Sequence, residues 1–490
     1  MISVYIREQQ RYTQKELVER LACTEEKTVR ILRRLKAYGI LKTVKASDAQ
    51  RNLTDLLEED VEITDVEIGE DKYLFVFTFV GVITIEGRVL KCYPKYLHDR
   101  QAPLIELKTV IKVLEKYNSD NQIVRMYNDS TDERHFNRLA VMLFLLHDYF
   151  EYGSYTNTQD ILETNGSGEI LWDKTINETF SFISQNRPIY PELLTKKRIN
   201  NDFDFFKRLH ECILTLCTSE LKEADLLDLF DMSEVDLSDE SLEDFGSKEY
   251  ILERIEKELN VQFNTRKQLL LKTLYAFIAE TDATEGGDGI SMFGTNSFNI
   301  VWEKICADII DNQLQTPLGG LDLPVPLAEQ YQEMRHVKLI DLIDKPIWHG
   351  KSDAGEGFDK TAADTLIPDF ISIVKIGDVY QFLIFDAKYY CIQLEPDKKL
   401  SGNPGIESIT KQYLYQLAYK EFVEAHRIKV VRNCFLMPTS DSEVIEKGHV
   451  SLRMLKQLDL QDIQIRLLPA DMIYRFYLNN DKLDIHALNL

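Results

Sequence analysis

The sequence lacks the features that would assign it to a membrane or to an oxidising compartment. Its longest apolar run, YLFVFTFVGVITI at residues 73–85, is too short for a membrane-spanning helix and is rich in strand-forming residues. The start, MISVYIREQQ, has no basic region followed by an apolar one, so we expect no signal peptide. The seven cysteines include no CxxC pair, and an odd count without a pattern predicts a cytoplasmic protein.

Basic residues are outnumbered by acidic ones. The 490 residues include 81 Asp and Glu against 58 Lys and Arg, which gives a net charge of −23 at pH 7. This excess argues against a protein that coats nucleic acid by charge alone, because phosphate contacts need locally basic surface. Residues 220–244, ELKEADLLDLFDMSEVDLSDESLED, hold much of it and are interpreted as a solvated loop or helix face. A basic site elsewhere stays open.

Motifs of several enzyme classes are missing as well. None of the nine histidines belongs to a metal-binding or nucleophile-activating pattern. Residues 349–352, HGKS, end like a phosphate-binding loop, but Lys345 stands where that motif needs its first glycine. We therefore expect no nucleotide hydrolysis by this chain.

Length and composition predict a mixed α/β protein of several domains. A chain of 490 residues is too long for one core, and 44% hydrophobic with 28% charged residues is ordinary for a globular protein. We predict a small β-rich unit at residues 60–118 and a mostly helical region with an acidic loop at 119–290. Residues 291–490 alternate helices with strands, which is typical of an α/β domain.

Residues 1–50 have the layout of a winged helix-turn-helix. Thr13 and Glu16 form a predicted capping box before a first helix, and a break at residues 22–24 precedes a second helix that ends at Gly39. The second helix exposes a basic run: Lys27, Arg30, Arg33, Arg34 and Lys36. Contact with DNA through this helix is one interpretation, and a protein-docking module with a solvated basic face is the other.

Residues 367–390, IPDFISIVKIGDVYQFLIFDAKYY, predict a β-hairpin. Two runs rich in β-branched and aromatic residues flank Gly377-Asp378, a dipeptide suited to a two-residue turn. This register places Asp369 opposite Asp386, with Cβ atoms about 5 Å apart. Because side chains alternate along a strand, Lys388 shares a face with Asp386. Two carboxylates and one ammonium group should therefore converge on one patch.

Like charges directly opposite each other destabilise a sheet, so this patch needs compensation. A divalent cation with oxygen ligands would supply it, and Lys388 alone would neutralise one carboxylate. A nuclease that cleaves a phosphodiester uses such carboxylates to bind Mg²⁺, while a nearby lysine orients water or stabilises developing charge. The alternative is a salt-bridged trio in a structural sheet.

Two predicted helices carry further polar residues. In FNIVWEKICADII at 298–310, Glu303 lies at the edge of the apolar stripe, where it can reach a neighbouring strand or remain a surface residue. The helix at 407–422 places four polar and aromatic residues on one side: Gln412, Tyr415, Gln416 and Tyr419. The glutamines suggest contact with a site or a phosphate, whereas the alternative is the boundary of an amphipathic helix.

This order of residues resembles the motifs of the PD-(D/E)XK nuclease superfamily, Glu…Pro-Asp…Asp-x-Lys…Gln-x-x-x-Tyr. The matching positions are Glu303, Pro368-Asp369, Asp386-Ala387-Lys388 and residues 412–419. The resemblance implies that residues 291–490 form a nuclease domain. It also implies that Asp369 and Asp386 are metal ligands and that Lys388 acts beside the attacking water.

The resemblance extends to Glu303, as a catalytic residue and a further metal ligand, and to Gln416. Gln412 and Gln416 both fit the glutamine position of the motif, so the choice between them stays open. The implied cofactor is Mg²⁺, with Mn²⁺ as an alternative, and the implied substrate is double-stranded DNA.

Residues 81–97, GVITIEGRVLKCYPKYL, are similar to the segment ending in a Pro-Lys pair in McrC-type subunits, especially in the LlaJI restriction endonuclease family. The family implies a partner, an McrB-like AAA+ NTPase ring that recognises DNA and drives movement while this chain cuts. The resemblance implies docking on that ring through this segment, which includes Pro94 and Lys95.

We therefore expect a Mg²⁺-dependent DNA endonuclease, the cleavage subunit of an NTP-dependent restriction system, which cuts poorly without its ring. The second interpretation is a non-catalytic winged-helix DNA-binding regulator with a degenerate nuclease fold. Such a fold usually lacks one of the two Asp or the Lys, whereas Asp369, Asp386 and Lys388 are all present. A third interpretation keeps the nuclease but assigns it to repair or to RNA.

Overall fold

The computed structural model describes residues 1–45, 73–118, 137–200, 204–279, 290–352 and 356–490. It confirms a mixed α/β protein with several sheets. The chain divides into two compact units, one formed by Met1 with residues 84–89 and 123–292, the other by residues 2–83, 90–122 and 293–490. Within the described ranges, no helix combines the length and the apolarity needed to cross a membrane.

The amino-terminal segment folds as two short helices beside a small sheet. Its elements are β1 (Ile2–Arg7), β2 (Arg11–Tyr12), α1 (Gln14–Leu21), α2 (Glu25–Ala37), β3 (Leu41–Lys45) and β4 (Tyr73–Phe77). Thr13 caps α1 as predicted, because its hydroxyl accepts from the Glu16 N–H at 3.2 Å and the Glu16 carboxylate accepts from the Thr13 N–H at 2.9 Å. Strands β2, β4 and β3 form a three-stranded antiparallel sheet. Residues 46–72, which include the start of the predicted β-rich unit, lie outside the described residues.

Strands and a helix follow, and the chain then enters a region of helices and small sheets. The elements are β5 (Val80–Ile85), β6 (Arg88–Tyr93), α3 (Leu104–Asn118), α4 (Arg138–Tyr152), β7 (Thr158–Thr164), β8 (Glu169–Ile170), α5 (Trp172–Glu178), β9 (Phe182–Ser184), β10 (Arg187–Ile189), β11 (Leu194–Asn200), α6 (Phe205–Glu223), α7 (Lys248–Val261) and α8 (Thr265–Ala279). The β7-β11-β8 sheet and the β9-β10 hairpin do not follow from the sequence pattern, because TQDILET and LTKKRIN lack a regular apolar alternation.

The carboxy-terminal segment contains a five-stranded mixed sheet with helices against it. Its elements are β12 (Ile290–Thr295), α9 (Phe298–Ile309), β13 (Ile347–Lys351), β14 (Gly357–Thr361), β15 (Phe370–Ile376), β16 (Val379–Ala387), α10 (Ile406–Ala425), β17 (Val430–Thr439), β18 (Ile445–Val450), β19 (Ile463–Pro469) and α11 (Ala470–Asn479). Five of these eight strands form the mixed sheet, in the order β15-β16-β17-β19-β18. Strands β13 and β14 form a separate antiparallel pair, and β12 belongs to another sheet. Strands β16, β17 and β19 are parallel, while β15 and β18 run antiparallel to their neighbours.

Helix α10 crosses between the parallel strands β16 and β17 and packs on the sheet. Phe382 and Ile384 of β16 form a buried core with Tyr419 and Phe422 of α10, and the rings of Phe382 and Tyr419 lie 5.2 Å apart. Even-numbered positions of β16 therefore face α10. Because strand positions alternate, this arrangement predicts that Asp386 also faces this helix.

Candidate active site

The predicted hairpin forms with the expected register. Phe370 pairs with Phe385 and Ile376 with Val379, so Asp369, one position before β15, lies beside Asp386. Gly377 takes a φ of +61° at the first turn position, where a two-residue hairpin loop of the II′ type needs a residue that tolerates positive φ. The hairpin is thus the element that brings the two aspartates together.

The three charged side chains of the predicted patch each make a hydrogen bond or an ion pair. The Oδ2 atom of Asp369 accepts a hydrogen bond from the backbone N–H of Ala387 at 2.9 Å. The Nζ atom of Lys388 lies 2.5 Å from Oδ1 of Asp386, and both side chains are largely shielded, at 19% and 6% exposure. The backbone N–H of Lys388 donates to the carbonyl of Leu436 at 2.9 Å, which extends the pairing with β17 beyond the end of β16.

The pKa values of Asp369 and Lys388 are shifted because the two carboxyl groups lie close together with little access to water. Burial, together with the neighbouring Asp386 carboxylate, raises the pKa of Asp369 to about 8. Burial alone would lower the pKa of Lys388, but attraction to Asp386, and then to Asp369 and Glu303, outweighs it and raises that pKa. The lysine therefore remains cationic, and it does not fully neutralise the two carboxylates.

Glu303 lies near the pair on another element. It is half-buried on α9, where burial raises its pKa, Lys388 opposes the rise and Asp386 adds to it. Across the residues that the structure describes, no three His, Cys, Asp or Glu side chains are close enough to form a metal-binding group. A direct ligand role for Glu303 therefore stays a prediction. Two carboxylates still fit Mg²⁺, which keeps several waters and often takes one or two protein carboxylates together with phosphate oxygens.

Helix α10 contributes Tyr415, which the sequence predicted to lie on the same side of the helix as Gln412 and Gln416 but to which it gave no role. The Tyr415 hydroxyl donates to the carbonyl of Ile367 at 2.8 Å, which fixes the backbone just before Pro368-Asp369. Burial, and then the carboxylates of Asp386 and Asp369, raise the pKa of Tyr415. The sequence signal for Tyr415 was its helical spacing from Gln412; its hydrogen bond needed the tertiary structure.

The two candidate glutamines of α10 have different surroundings. The Gln416 amide accepts from the Gln461 N–H at 2.8 Å and donates to the Gln461 carbonyl at 3.3 Å, so it holds the loop before β19. Gln412 is fully buried, and within the described protein neither its Nε2 nor its Oε1 has a hydrogen-bond partner. A catalytic role for either glutamine stays a prediction.

The other predicted site residues lie in the amino-terminal part of the same unit. Pro94 is buried and Lys95 is half-buried, with its Nζ atom donating to Oε1 of Gln9 at 2.9 Å. The five basic residues all lie on α2, two of them exposed and three partly buried: Arg30 and Arg33, then Lys27, Arg34 and Lys36. Docking and DNA contact by these residues stay predictions.

Comparison with known proteins identifies the class of protein to which this chain belongs. The family model described as LlaJI restriction endonuclease matches residues 79–324 and 331–470. The chain therefore belongs to the LlaJI restriction endonuclease family, as expected, and to the proteins of restriction systems.

One curated protein and two solved structures are similar to this chain. The Type II restriction enzyme BsuMI component YdjA of Bacillus subtilis (strain 168) is 26% identical over 413 residues, which are 83% of this chain and 81% of that protein. Among solved structures, a half-complex of Thermococcus gammatolerans McrB AAA+ hexamers with bound McrC matches 98% of this chain and 99% of the other, at 12% identity and a TM-score of 0.35. The T. gammatolerans McrBC complex matches 62% of this chain and 85% of the other, at 10% identity and a TM-score of 0.25.

Proposed function

We propose that this chain is a Mg²⁺-dependent DNA endonuclease of the PD-(D/E)XK type and the cleavage subunit of an NTP-dependent restriction system. One observation carries the proposal: Asp369 and Asp386 lie side by side in poorly solvated surroundings, with Lys388 2.5 Å from Asp386. A sheet gains nothing from two adjacent carboxylates, whereas phosphodiester hydrolysis needs them together with a cation.

The proposed roles follow from the side-chain chemistry. Asp369 and Asp386 would hold Mg²⁺, or Mn²⁺ in its place, which when bound polarises the phosphate and lowers the pKa of an attacking water. The Lys388 ammonium group, held by Asp386, stabilises negative charge as it develops on the phosphate oxygens. Glu303 adds negative potential that favours a divalent cation. Tyr415 keeps the backbone before Asp369 in place.

We further propose that the chain works with an McrB-like AAA+ NTPase. The resemblance of residues 81–97 to McrC-type subunits implies this partner, and the B. subtilis relative is itself described as a component of its restriction enzyme. The chain would supply the cut, and the basic side of α2 would contact DNA or the partner. Cleavage by the chain alone is expected to be poor.

The experiment is cleavage of supercoiled plasmid DNA with Mg²⁺ by the wild type, Asp386→Ala and Lys388→Ala. Each is tested with and without the co-encoded NTPase and nucleotide. Asp378→Ala and Lys375→Ala are matched controls, since they remove the same kinds of charge from exposed positions at the turn end of the same hairpin.

We expect cutting by the wild type and both controls, and at least a 100-fold loss in the two site variants. Cutting by Asp386→Ala and Lys388→Ala at the wild-type rate would refute the site. A DNA complex with the partner that never cuts would favour the regulator with a degenerate nuclease fold. Preferential cutting of RNA would favour the third interpretation.

A further inference from the structure

Glu8, Lys95 and Tyr389 form an ionic cluster just beyond the end of strand β16, in the same compact unit as the proposed site. Glu8 and Tyr389 are 4% and 5% exposed, and the Tyr389 hydroxyl donates to Oε2 of Glu8 at 2.6 Å. The same carboxylate oxygen accepts from the backbone N–H of Lys95 at 3.2 Å. Glu8 comes from the turn after β1, Lys95 from the segment after β6 and Tyr389 from the segment after β16, so three distant parts of the sequence meet here.

Lys95 supplies the positive charge of this cluster. Its Nζ atom lies 4.4 Å from the ring centroid of Tyr389 and 5.6 Å from that of Tyr390, which allows cation–π attraction to both rings. Burial raises the pKa of Glu8 although Lys95 opposes the rise, and burial lowers the pKa of Lys95 although Glu8 opposes the fall. The cluster is therefore costly to bury, and apolar residues would fill the same space at lower cost.

The cluster contacts two of the elements that carry proposed site residues, β16 and α9. Tyr389 directly follows Lys388, and the backbone N–H of Tyr390 donates to the Lys388 carbonyl at 2.9 Å. The Tyr389 ring also packs against Phe298, the first residue of α9, with centroids 5.2 Å apart. Helix α9 carries Glu303 one and a half turns later. A shift of Tyr389 would therefore displace Lys388, its neighbour in the chain, and would disturb the start of the helix that carries Glu303.

We propose that Tyr389 is a positioning residue, held by Glu8 and Lys95, that keeps Lys388 beside Asp386. This proposal rests on the proposed nuclease function of the hairpin and adds residues from the amino-terminal segment to it. Lys95 of the Pro94-Lys95 pair then has a role within this chain, because it helps to hold Tyr389 and so the end of strand β16. A cluster that is costly to bury is explained if it serves to position Lys388 and not to stabilise the fold.

The test compares Tyr389→Phe with a matched control, Tyr96→Phe, in the full chain with its NTPase partner. Tyr389→Phe removes the hydroxyl that binds Glu8 and keeps the ring beneath Lys95. Tyr96→Phe removes another buried hydroxyl of the same aromatic group, which donates to the Tyr474 hydroxyl at 2.9 Å and does not bind Glu8. Thermal unfolding of both variants shows whether they fold equally well.

Two measurements follow, and the first does not require cutting. Trace acetylation with acetic anhydride and peptide mass spectrometry reports how accessible the Lys388 amine is, because its contact with Asp386 shields it. We expect labelling of Lys388 to rise at least threefold in Tyr389→Phe and to stay unchanged in Tyr96→Phe. The second measurement is plasmid cleavage, in which Tyr389→Phe should lose at least tenfold in kcat with KM for DNA within twofold.

The outcomes separate the two proposals. If Asp386→Ala abolishes cutting while Tyr389→Phe keeps wild-type labelling and kcat, the positioning role fails and the nuclease assignment stands. Equal losses in Tyr96→Phe and Tyr389→Phe would also overturn the positioning role, since they would reflect packing alone. If Asp386→Ala cuts like the wild type, the nuclease assignment fails, and the labelling of Lys388 still decides whether Tyr389 holds it.

Discussion

Single residues at the hairpin show a conflict between stability and the proposed chemistry. Asp369 accepts one backbone hydrogen bond, yet burial, and then the neighbouring Asp386 carboxylate, raise its pKa to about 8. A structural role would be served better by an uncharged side chain at this position. Replacing each residue by its neutral counterpart therefore separates a structural trio from a catalytic one.

We predict that Asp369→Asn stabilises the chain while abolishing cleavage. The asparagine Oδ1 atom can still accept from the Ala387 N–H. The cost of burying the Asp369 carboxyl beside Asp386, which the folded chain meets by holding a proton at pH 7.5, is removed. We expect a gain of about 1 kcal/mol in the free energy of unfolding by urea at pH 7.5 in EDTA. Plasmid cleavage with Mg²⁺ should fall at least 100-fold, because one of the two proposed metal ligands is lost. A destabilised variant that still cuts would instead indicate a structural trio.

The glutamines of α10 give a second prediction at this scale. Gln412→Met removes two buried amide atoms without hydrogen-bond partners in the described protein and should raise the free energy of unfolding by about 1 kcal/mol. Gln416→Met removes both hydrogen bonds to Gln461 and should lower it by about 1–2 kcal/mol. Urea unfolding measures both changes.

Plasmid cleavage by the same two variants decides which glutamine belongs to the motif. A loss of cutting in the stable Gln412→Met protein would assign the role to Gln412. A stability order opposite to the expected one would contradict the hydrogen bonding assigned to the two amides.

At the scale of elements, the turn of the β15-β16 hairpin sets the site, because register alone places Asp369 beside Asp386. We predict that Gly377→Ala lowers the free energy of unfolding by about 1 kcal/mol, since an L side chain at a φ of +61° is strained. Gly405→Ala is the matched control, because Gly405 has a φ of −70° and open space around it. Urea midpoints compare the two, and an equal effect at both glycines would exclude strain at the turn as the cause.

At the scale of the whole molecule, stability should depend on pH through His210, which lies in the unit that includes residues 123–292. His210 is fully buried on α6, its Nδ1 accepts from the Tyr155 N–H at 3.0 Å, and burial, aided by Arg266, lowers its pKa to about 3. Between pH 6.5 and 3 the unfolded chain binds a proton at this histidine that the folded chain does not. Its contribution to stability is therefore fully present above pH 6.5 and is lost as the pH falls.

We predict that His210→Asn removes about 2 kcal/mol of the stability loss between pH 7 and pH 5. The asparagine keeps an acceptor for the Tyr155 N–H and cannot take up a proton. His98→Asn, at an exposed position, is the control. The measurement is urea unfolding at both pH values, and an unchanged pH dependence in His210→Asn would contradict the prediction.

Much of the carboxy-terminal site could be predicted because its signals are local. Turn chemistry at Gly377-Asp378 and strand alternation were enough for the register that joins Asp369 to Asp386, and Thr13 with Glu16 was enough for the first cap. The small sheets of the middle region escaped prediction, because short polar strands lack an apolar period.

The sequence by itself determined how the hairpin pairs and that Asp369, Asp386 and Lys388 lie together on it, since both depend on neighbours close along the chain. Only the tertiary structure decided that Gln416 binds the Gln461 backbone and that Glu8, Lys95 and Tyr389 meet behind Lys388. Glu8 and Tyr389 are 381 residues apart, and no periodicity encodes such a contact. It arises from packing several elements together and from the need to pair buried charges, which act only when the whole fold is present.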